Sequence, residues 1–361
     1  MTDLFENPLG TSGFEFMEYT GDEAHLKKLF KDFGFTAVAK HKTRDVVLYR
    51  QGHINLLLNL ETTGQAAKFC EKHNAGANAM AFRVKDASFA YAEAVKRGAE
   101  PAGDHGGSFD MESGACVPAI KGIDGSLIYL VDNDDIYEAE FDFFDNVGDL
   151  SGVGFTYIDH LTHNLHRGNM AVWGEFYEEV FGFREIRYFN IEGKLTGLVS
   201  RAMTSPCGKI RIPLNEGTDD KSQIEEFLQR FNGEGIQHVA FETHDIFATV
   251  EKMKERGVDF QFTPDTYYDK IDERLPGHGE DVEHMKEHRI LIDGAPTEGQ
   301  GILLQIFTGD EIGPVFFEII QRKGNEGFGE GNFQALFDSI EHDQIQRGFL
   351  DDAPSKRSVG E

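Results

Sequence analysis

The sequence predicts an α+β fold in which tandem βαβββ units build two open, barrel-like domains. Two internal matches support this prediction: residues 30–35 (FKDFGF) match 178–183 (EEVFGF), and residues 79–82 (AMAF) match 238–241 (HVAF). Repeated segments of this kind indicate duplicated units that pack in the same way. We therefore predict four units, two in a domain of residues 1–150 and two in a domain of residues 151–361.

The first half alternates between helix and strand patterns. Leu26, Leu29, Phe30 and Phe33 lie at helical spacing before Gly34, which predicts a helix over 22–33. A second helix is predicted over 87–97, and strands at 13–19, 36–40, 45–49, 54–60, 78–84, 115–120 and 127–131. The acidic segment 132–152 carries neither pattern and is interpreted as a linker.

The second half repeats this order. Helices are predicted over 168–181 and 246–256, and strands at 156–164, 184–190, 197–203, 209–214, 235–243, 303–307 and 315–321. The polar connection 262–302, with a short helix near 281–286, has the length typical of a functional loop. The glycine-rich segment 324–331 leads to a last helix over 332–347 with an apolar stripe, and the tail after Leu350 is polar.

Composition excludes several classes of partner. The chain carries 63 Asp and Glu against 35 Lys and Arg, a net charge of −28, which makes nucleic acid and anionic membranes poor partners. Its three cysteines, Cys70, Cys116 and Cys207, are far apart, which indicates free thiols. No signal pattern opens the chain, and we expect a cytoplasmic protein. The 31 phenylalanines exceed what a core needs and favour an apolar pocket for an aromatic ligand.

Three polar residues interrupt apolar strands of the second half. Glu318 lies among Phe and Ile, where burial of an ionised carboxylate costs free energy unless an opposite charge or a metal compensates its charge. An ordinary ion pair with an arginine would also account for it. His160 and His238 occupy the first strands of the third and fourth units, which the repeat brings together. Two imidazoles and one carboxylate form the facial triad that leaves positions open on non-haem Fe(II).

The first half serves as an internal control for this interpretation. Alignment of the repeats places Phe16 opposite His160, Ala79 opposite His238 and Leu130 opposite Glu318. All three positions are apolar there, so we predict a single metal site, in the second domain.

The remaining histidines fit other roles. His163 is expected on the opposite face of its strand, and a pairing of Asp159 with His160 is not expected, because neighbours on a strand point apart. The other histidines fall in polar contexts and are interpreted as solvated: His166, His244, His278, His284, His288 and His342.

Several segments together resemble the 4-hydroxyphenylpyruvate dioxygenase family of the vicinal-oxygen-chelate superfamily. They are residues 158–164 (IDHLTHN), 232–241 (NGEGIQHVAF), 303–307 (LLQIF), 316–322 (FFEIIQR) and 327–333 (GFGEGNF). The resemblance implies Fe(II) held by His160, His238 and Glu318. It also implies that 4-hydroxyphenylpyruvate and O₂ become homogentisate and CO₂ in tyrosine catabolism, by oxidative decarboxylation, ring hydroxylation and side-chain migration.

The resemblance also implies a substrate pocket. Its amide and hydroxyl groups would come from Ser200, Asn215, Gln223, Gln237 and Gln305, and its aromatic walls from Phe307, Phe316, Phe328 and Phe333. Asn215 and Gln305 would orient the substrate, although Gln237 points away from His238 on an ideal strand. The last helix would form a lid, and the family contains dimers and tetramers, so a homo-oligomer is expected.

Three other functions stay open at this point. They are 4-hydroxymandelate synthase, an extradiol ring-cleaving dioxygenase, and a non-catalytic member of the superfamily that binds a small aromatic compound. The spacing of Gly327, Gly329 and Gly331 lacks the GxGxxG pattern, which argues against a nucleotide site.

Overall fold

The computed structural model describes residues 3–103, 117–133, 135–192, 195–329, 331–334, 344–345, 347–348 and 350. The strands of the first half are β1 (Gly13–Thr20), β2 (Thr36–His41), β3 (Val46–Gln51), β4 (Ile54–Asn59), β5 (Gly76–Arg83), β6 (Ala119–Lys121), β7 (Leu127–Val131) and β8 (Phe141–Phe143). Its helices are α1 (Glu23–Asp32), α2 (Gly64–His73), α3 (Ala87–Lys96) and α4 (Ile136–Glu140).

The strands of the second half are β9 (Phe155–Leu165), β10 (Arg184–Glu192), β11 (Gly197–Thr204), β12 (Arg211–Gly217), β13 (Gly235–Thr243), β14 (Leu291–Gly294), β15 (Ile302–Phe307) and β16 (Phe316–Lys323). Its helices are α5 (Asn169–Phe181), α6 (Gln223–Phe231), α7 (Ile246–Glu255), α8 (Asp265–Tyr268), α9 (Ile271–Arg274) and α10 (Val282–His288).

The two halves form two eight-stranded sheets with the same internal order, which confirms the predicted duplication. The first sheet runs β6-β7-β5-β1-β4-β3-β2-β8, and the second runs β14-β15-β16-β13-β9-β12-β11-β10. In each sheet the first strands of its two units pair antiparallel at the centre: β1 with β5, and β9 with β13. The sheets differ at their edges, because β8 extends the first next to β2 and β14 extends the second next to β15.

Helices α2 and α6 occupy equivalent places after β4 and β12, and the sequence analysis did not predict them. Each is nine or ten residues long and buries one face, with Phe69 in α2 and Phe227 and Phe231 in α6. Ser222 accepts a hydrogen bond from the backbone N–H of Glu225 and so caps α6. Since isolated helices of this length are marginal, packing against the sheets stabilises both.

The interpretation of 132–152 as a linker is wrong. Helix α4 and strand β8 lie in this segment, and β8 pairs antiparallel with β2 through Ala39 and Phe143. Tyr137 and Phe141 are 2 % exposed and pack in the same core cluster as Phe16. Burial of these two rings holds in place a segment whose overall composition is acidic.

One aromatic cluster joins the two halves. The ring of Phe317 in β16 packs against Phe33 of the first half, with ring centroids 4.9 Å apart, and against Phe241, with centroids 5.7 Å apart. Phe35 reaches Phe241 as well, at 5.7 Å. Part of the phenylalanine excess therefore forms a core shared by both sheets.

The connection 262–302 contains α8, α9 and α10, and its strand β14 was not predicted. Most of the predicted helix over 332–347 lies outside the described residues, although 331–334 are helical. Within the described part of the chain, no helix is long and apolar enough to cross a membrane.

Candidate metal centre

The strand pairing of the second sheet brings His160 and Glu318 to one place. His160 in β9 and Glu318 in β16 both lie opposite Ala240 of the intervening strand β13. Their side chains flank this small, fully buried residue. His238 lies two residues before Ala240 and therefore faces the same side of the sheet. A methyl group at the centre of this row leaves room between the three longer side chains.

The three side chains form a compact donor set. The Nε2 atom of His160 lies 3.1 Å from Oε2 of Glu318, and Nε2 of His238 lies 3.5 Å from the same oxygen. All three donor atoms lie within 4.8 Å of one another. The side chains are at most 4 % exposed. Two imidazoles and one carboxylate at this separation fit a divalent transition metal.

A β-bulge precedes each histidine. In the pairing of β9 with β13, Ile158 and His160 lie opposite consecutive residues, so Asp159 is an extra residue in its strand. Gln237 is the extra residue on β13 in the same way. Bulges break the alternation of side chains, which places each of these residues on the same side as the histidine that follows.

The bulged residues contact the histidines directly. Oδ1 of Asp159 lies 2.8 Å from Nδ1 of His160, and Oε1 of Gln237 lies 3.1 Å from Nδ1 of His238. The expectations that Asp159 would not pair with His160 and that Gln237 would point away from His238 are therefore wrong. An acceptor at Nδ1 fixes the tautomer that leaves Nε2 free to bind a metal.

Opposite charges hold His160 and Glu318 together. Burial alone would lower the pKa of His160, but Glu318 and Asp159 outweigh it and raise this pKa to about 9. Burial alone would raise the pKa of Glu318, but the two histidines lower it to about 2. Burial lowers the pKa of His238. Without a metal, a protonated His160 thus pairs with an ionised Glu318 at neutral pH.

This ion pair predicts a pH-dependent metal affinity. A metal at Nε2 of His160 must displace a proton, because the folded-state pKa of about 9 keeps the ring charged at neutral pH. Apparent affinity should therefore rise about tenfold per pH unit between roughly pH 6 and 8. Titration calorimetry with Co²⁺ in two buffers of different ionisation enthalpy measures the released proton. The same titration at pH 6 and at pH 8 compares the affinities, and equal affinities at these two pH values would contradict the ion pair.

Asp159 belongs to a buried ionic cluster. Its carboxylate accepts two hydrogen bonds from Arg322, at 2.7 and 2.8 Å, and one from Arg211 at 3.3 Å. Arg322 and His160 outweigh the effect of burial and hold the pKa of Asp159 well below its usual range. Arg322 also donates to the backbone carbonyls of Asn325 and Gly327. The cluster thereby links the glycine-rich segment to His160.

Gln305 and three aromatic rings surround the donor set. Nε2 of Gln305 donates to Oε1 of Glu318 at 2.8 Å, which orients the carboxylate so that Oε2 faces the histidines. Phe316 stacks on His238 with ring centroids 4.9 Å apart, and Phe328 meets His160 edge-on at 5.8 Å. Phe307 packs against Phe316.

The other five predicted substrate residues line one cavity beside His238. They are Ser200, Asn215, Gln223, Gln237 and Phe333, and Ile191 and Leu198 complete the wall. The cavity has a volume of about 30 Å³, whereas a benzene-sized ligand needs roughly 150 Å³. Oγ of Ser200 is buried without a hydrogen-bond partner. All nine predicted substrate residues thus lie around or beside the donor set.

Sequence reasoning missed three polar residues close to the site. Oγ1 of Thr162 lies 3.2 Å from Nε2 of His238. Asn332 donates from Nδ2 to Oε1 of Gln305 at 2.8 Å, and Tyr267 donates to Oδ1 of Asn332 at 2.7 Å. Asn332 lies inside the segment 327–333 that carried the family resemblance, so that segment was the available signal. Tyr267 lies in the long connection and gave none.

The first half keeps the bulges without the metal ligands. Glu15 and Asn78 are extra residues in β1 and β5, next to Phe16 and Ala79. The residue equivalent to Glu318 is Tyr129, because both lie opposite the corresponding alanine, and the alignment on Leu130 was wrong by one residue. The ring centroids of Phe16 and Tyr129 lie 5.5 Å apart, at the positions that His160 and Glu318 occupy in the second half.

The remaining histidines of the second half differ in burial. The interpretation of His278 and His284 as solvated holds only in part, because both are half-buried: Nε2 of His278 lies 2.9 Å from Oδ1 of Asp272, and His284 stacks on Phe247. His163 is buried on the other face, as expected, with Nε2 2.7 Å from the hydroxyl of Tyr177, and burial lowers its pKa to about 3. His166 and His244 are exposed, as expected, and His342 lies outside the described residues. The interpretation of His288 as solvated is wrong: it is 8 % exposed, because α10 packs on α7.

Comparison with known proteins agrees with this geometry. A duplicated sheet with a His-His-Glu cluster in one half defines a metal-dependent member of the vicinal-oxygen-chelate class. Residues 157–272 match the profile described as "Glyoxalase/Bleomycin resistance protein/Dioxygenase superfamily", and residues 5–145 match "Hydroxyphenylpyruvate dioxygenase, HPPD, N-terminal".

Comparison with individual proteins identifies the family within this class. The 4-hydroxyphenylpyruvate dioxygenase of Pseudomonas aeruginosa is 56 % identical and covers 95 % of this chain and 97 % of its own. Hemolysin VllY of Vibrio vulnificus is 57 % identical, and the match covers 96 % of this chain and 99 % of the hemolysin. A triple mutant of 4-hydroxymandelate synthase from Streptomyces coelicolor superposes with a TM-score of 0.78 at 26 % identity, over 92 % of this chain and 99 % of its own. This chain belongs to the 4-hydroxyphenylpyruvate dioxygenase family.

Proposed function

We propose that the 4-hydroxyphenylpyruvate dioxygenase activity of this chain is centred on Fe(II) bound by His160, His238 and Glu318. The donor set within 4.8 Å carries this proposal. The reaction converts 4-hydroxyphenylpyruvate and O₂ into homogentisate and CO₂. Bound iron supplies the redox chemistry that O₂ activation requires. Three protein ligands leave positions for a chelating keto acid and for O₂.

The protein's own groups would orient the substrate. Ser200 and Asn215 line the cavity beside His238, and the unpartnered hydroxyl of Ser200 offers a hydrogen bond to the phenol oxygen. Amide and hydroxyl groups suit a neutral phenol. Gln305 would orient Glu318, and the rings of Phe307, Phe316 and Phe328 would exclude water from the metal side of the substrate.

Phe333 has the position of a gate in this proposal. It lines the cavity, packs against Phe189 with ring centroids 5.2 Å apart, and lies in the helical segment 331–334. Because the cavity is smaller than the substrate, Phe333 must move for substrate to enter. The lid function predicted for the helix over 332–347 would supply this movement.

Product identification with the iron-loaded protein tests the proposal. We expect O₂ uptake that depends on 4-hydroxyphenylpyruvate and on Fe(II), with one homogentisate and one CO₂ for each O₂. Formation of 4-hydroxymandelate would assign the activity of the structural relative instead. Cleavage of added catechols would indicate an extradiol enzyme. Substrate binding without O₂ uptake would leave a non-catalytic binding protein.

Asn332 couples the C-terminal segment to the metal ligand. It forms the middle of a hydrogen-bond chain from Tyr267 through Gln305 to Glu318. Gly329 has a φ of +77°, which favours glycine, and a Cβ atom there would meet the amide of Gln305. We predict that Asn332→Ala releases metal to a chelator up to about tenfold faster, since outer contacts tune metal affinity.

Gln334→Ala is the control for this prediction. Gln334 lies on the same helical segment and donates to the backbone carbonyl of Glu192, away from the metal ligands. Chelator-driven release of Co²⁺, followed by absorbance, compares the two variants. Equal release rates would show that the segment does not support Glu318.

The proposal extends to domain roles, location and assembly. Residues 1–150 would act as a scaffold and residues 151–361 as the catalytic domain, supported by Phe16, Ala79 and Tyr129 in place of metal ligands.

The free thiols of Cys70 and Cys207 support a cytoplasmic location. A homodimer or homotetramer is supported by exposed Ile186 and Tyr188 on edge strand β10.

A further inference from the structure

A second group of possible metal ligands lies on the two helices α7 and α10. Glu251 projects from α7, and His284 and His288 project from α10. Their donor atoms all lie within 4.8 Å of one another, as in the catalytic cluster. Nε2 of His288 is 3.4 Å from Oε1 of Glu251. None of these residues contributes to the site described above.

Local structure orders both imidazole rings. His284 and His288 are four residues apart, so they share one face of α10, and their ring centroids are 4.8 Å apart. Phe247 of α7 stacks on His284 with centroids at 4.3 Å and meets His288 edge-on at 6.1 Å. Rings that packing already holds lose little conformational entropy when they bind an ion.

Neighbouring charges permit a cation at this place. Lys286 and Arg289 both pair with Asp265, at 3.3 and 2.5 Å, which neutralises part of the local positive charge. Lys254 is a further cation nearby and donates to the backbone carbonyl of His288 at 3.4 Å. The 3.4 Å contact between His288 and Glu251 and the stacking of His284 on Phe247 already order these side chains, and a metal would add a bond between the two helices.

We propose that Glu251, His284 and His288 bind a second divalent transition metal of the zinc type, which ties α10 to α7. Imidazole nitrogens four residues apart on a helix, joined by a carboxylate from another element, are suitable ligands for Zn²⁺. Glu251 is exposed, so water completes the coordination. Hard oxygen-preferring ions such as Mg²⁺ do not suit two imidazoles.

A metal here would stabilise the long connection next to the catalytic strand. Helix α10 belongs to the segment 262–302, which also carries Tyr267 of the hydrogen-bond chain to Glu318. Helix α7 is anchored to β16, because Oε1 of Gln321 accepts from the backbone N–H of Ile246 at 3.2 Å. A metal bound between the two helices would therefore restrain the part of the connection that supports the C-terminal segment.

Zinc titration of the iron-loaded full chain tests the second site. We expect one further equivalent of Zn²⁺ by calorimetry, iron content unchanged by elemental analysis, and a melting temperature that rises with Zn²⁺ concentration. His284→Ala and Glu251→Gln should weaken this binding roughly tenfold or more, since each removes a ligand. Both positions are at least partly exposed, so these variants should fold.

His244→Ala is the control, because His244 is exposed and lies outside both clusters. It should bind the additional Zn²⁺ as the unmodified protein does. Zinc uptake that equals the iron lost, no uptake beyond the iron, or equal uptake by all variants would each overturn the proposal. The catalytic proposal is tested separately by product formation, which these variants should leave unchanged.

Discussion

Replacement of His238 by alanine is expected to abolish both iron retention and O₂ uptake. The histidine supplies one of three donors, and its Nε2 lies 3.5 Å from Oε2 of Glu318. Loss of an outer contact typically costs 10–100-fold in metal affinity, so loss of a ligand should cost more than about 100-fold. Elemental analysis of the purified protein and an oxygen electrode with 4-hydroxyphenylpyruvate measure the two effects.

His166→Ala provides the matched control. His166 is exposed and lies outside both His–Glu clusters, so this variant should keep its iron and its activity. Circular dichroism and thermal melting should show that His238→Ala remains folded. Full iron occupancy in His238→Ala would contradict the ligand assignment.

Replacement of Asp159 by alanine is expected to destabilise the fold and weaken metal binding together. Asp159 is 1 % exposed and pairs with Arg322 and Arg211. Removing one partner of a buried ion pair costs about 3–5 kcal/mol, because the remaining charge is left buried. His160 also loses the acceptor at Nδ1, which should lower metal affinity about 10–100-fold.

Asp159→Asn separates the two effects. Asparagine keeps an acceptor for Nδ1 of His160 but removes the negative charge that compensates the charges of Arg322 and Arg211. We expect it to lose stability in guanidinium unfolding while retaining more metal than Asp159→Ala. Asp142→Ala, at an exposed position on β8, should change neither property. If Asp159→Ala unfolds and binds Co²⁺ as the unmodified protein does, the role of Asp159 is not supported.

Much of the fold followed from local pattern. The duplicated motifs predicted two sheets of equivalent order, and the strand at 235–243 coincides with β13. Helix α6 was predictable from the sequence, because Ile224, Phe227, Leu228 and Phe231 lie at helical spacing, whereas the apolar stripe of α2 consists mainly of Ala66 and Phe69 and gives a weaker pattern. The segment with α4 and β8 was missed because its acidic composition hides two buried rings, Tyr137 and Phe141.

Bulges explain the errors close to the metal site. An ideal strand places Asp159 and Gln237 on the opposite face from the histidines, and the alternation rule therefore separated them. A single extra residue in each strand reverses that result. The same effect appears at Glu15 and Asn78 in the first half, where no histidine follows. Residue composition alone gives no signal for such an insertion.

By itself, the sequence determined the class of fold, the family and the three candidate ligands, because apolar periodicity, repeats and polar residues in apolar strands are local features. Only the tertiary structure decided how those ligands are supported. Three contacts provide this support: Asp159 with His160, Gln305 with Glu318, and Asn332 with Gln305. They depend on β-bulges, on strand register and on the path by which the C-terminal segment comes back to the sheet. Hydrogen bonds require positions within a few tenths of an ångström, and only the packed chain fixes those positions.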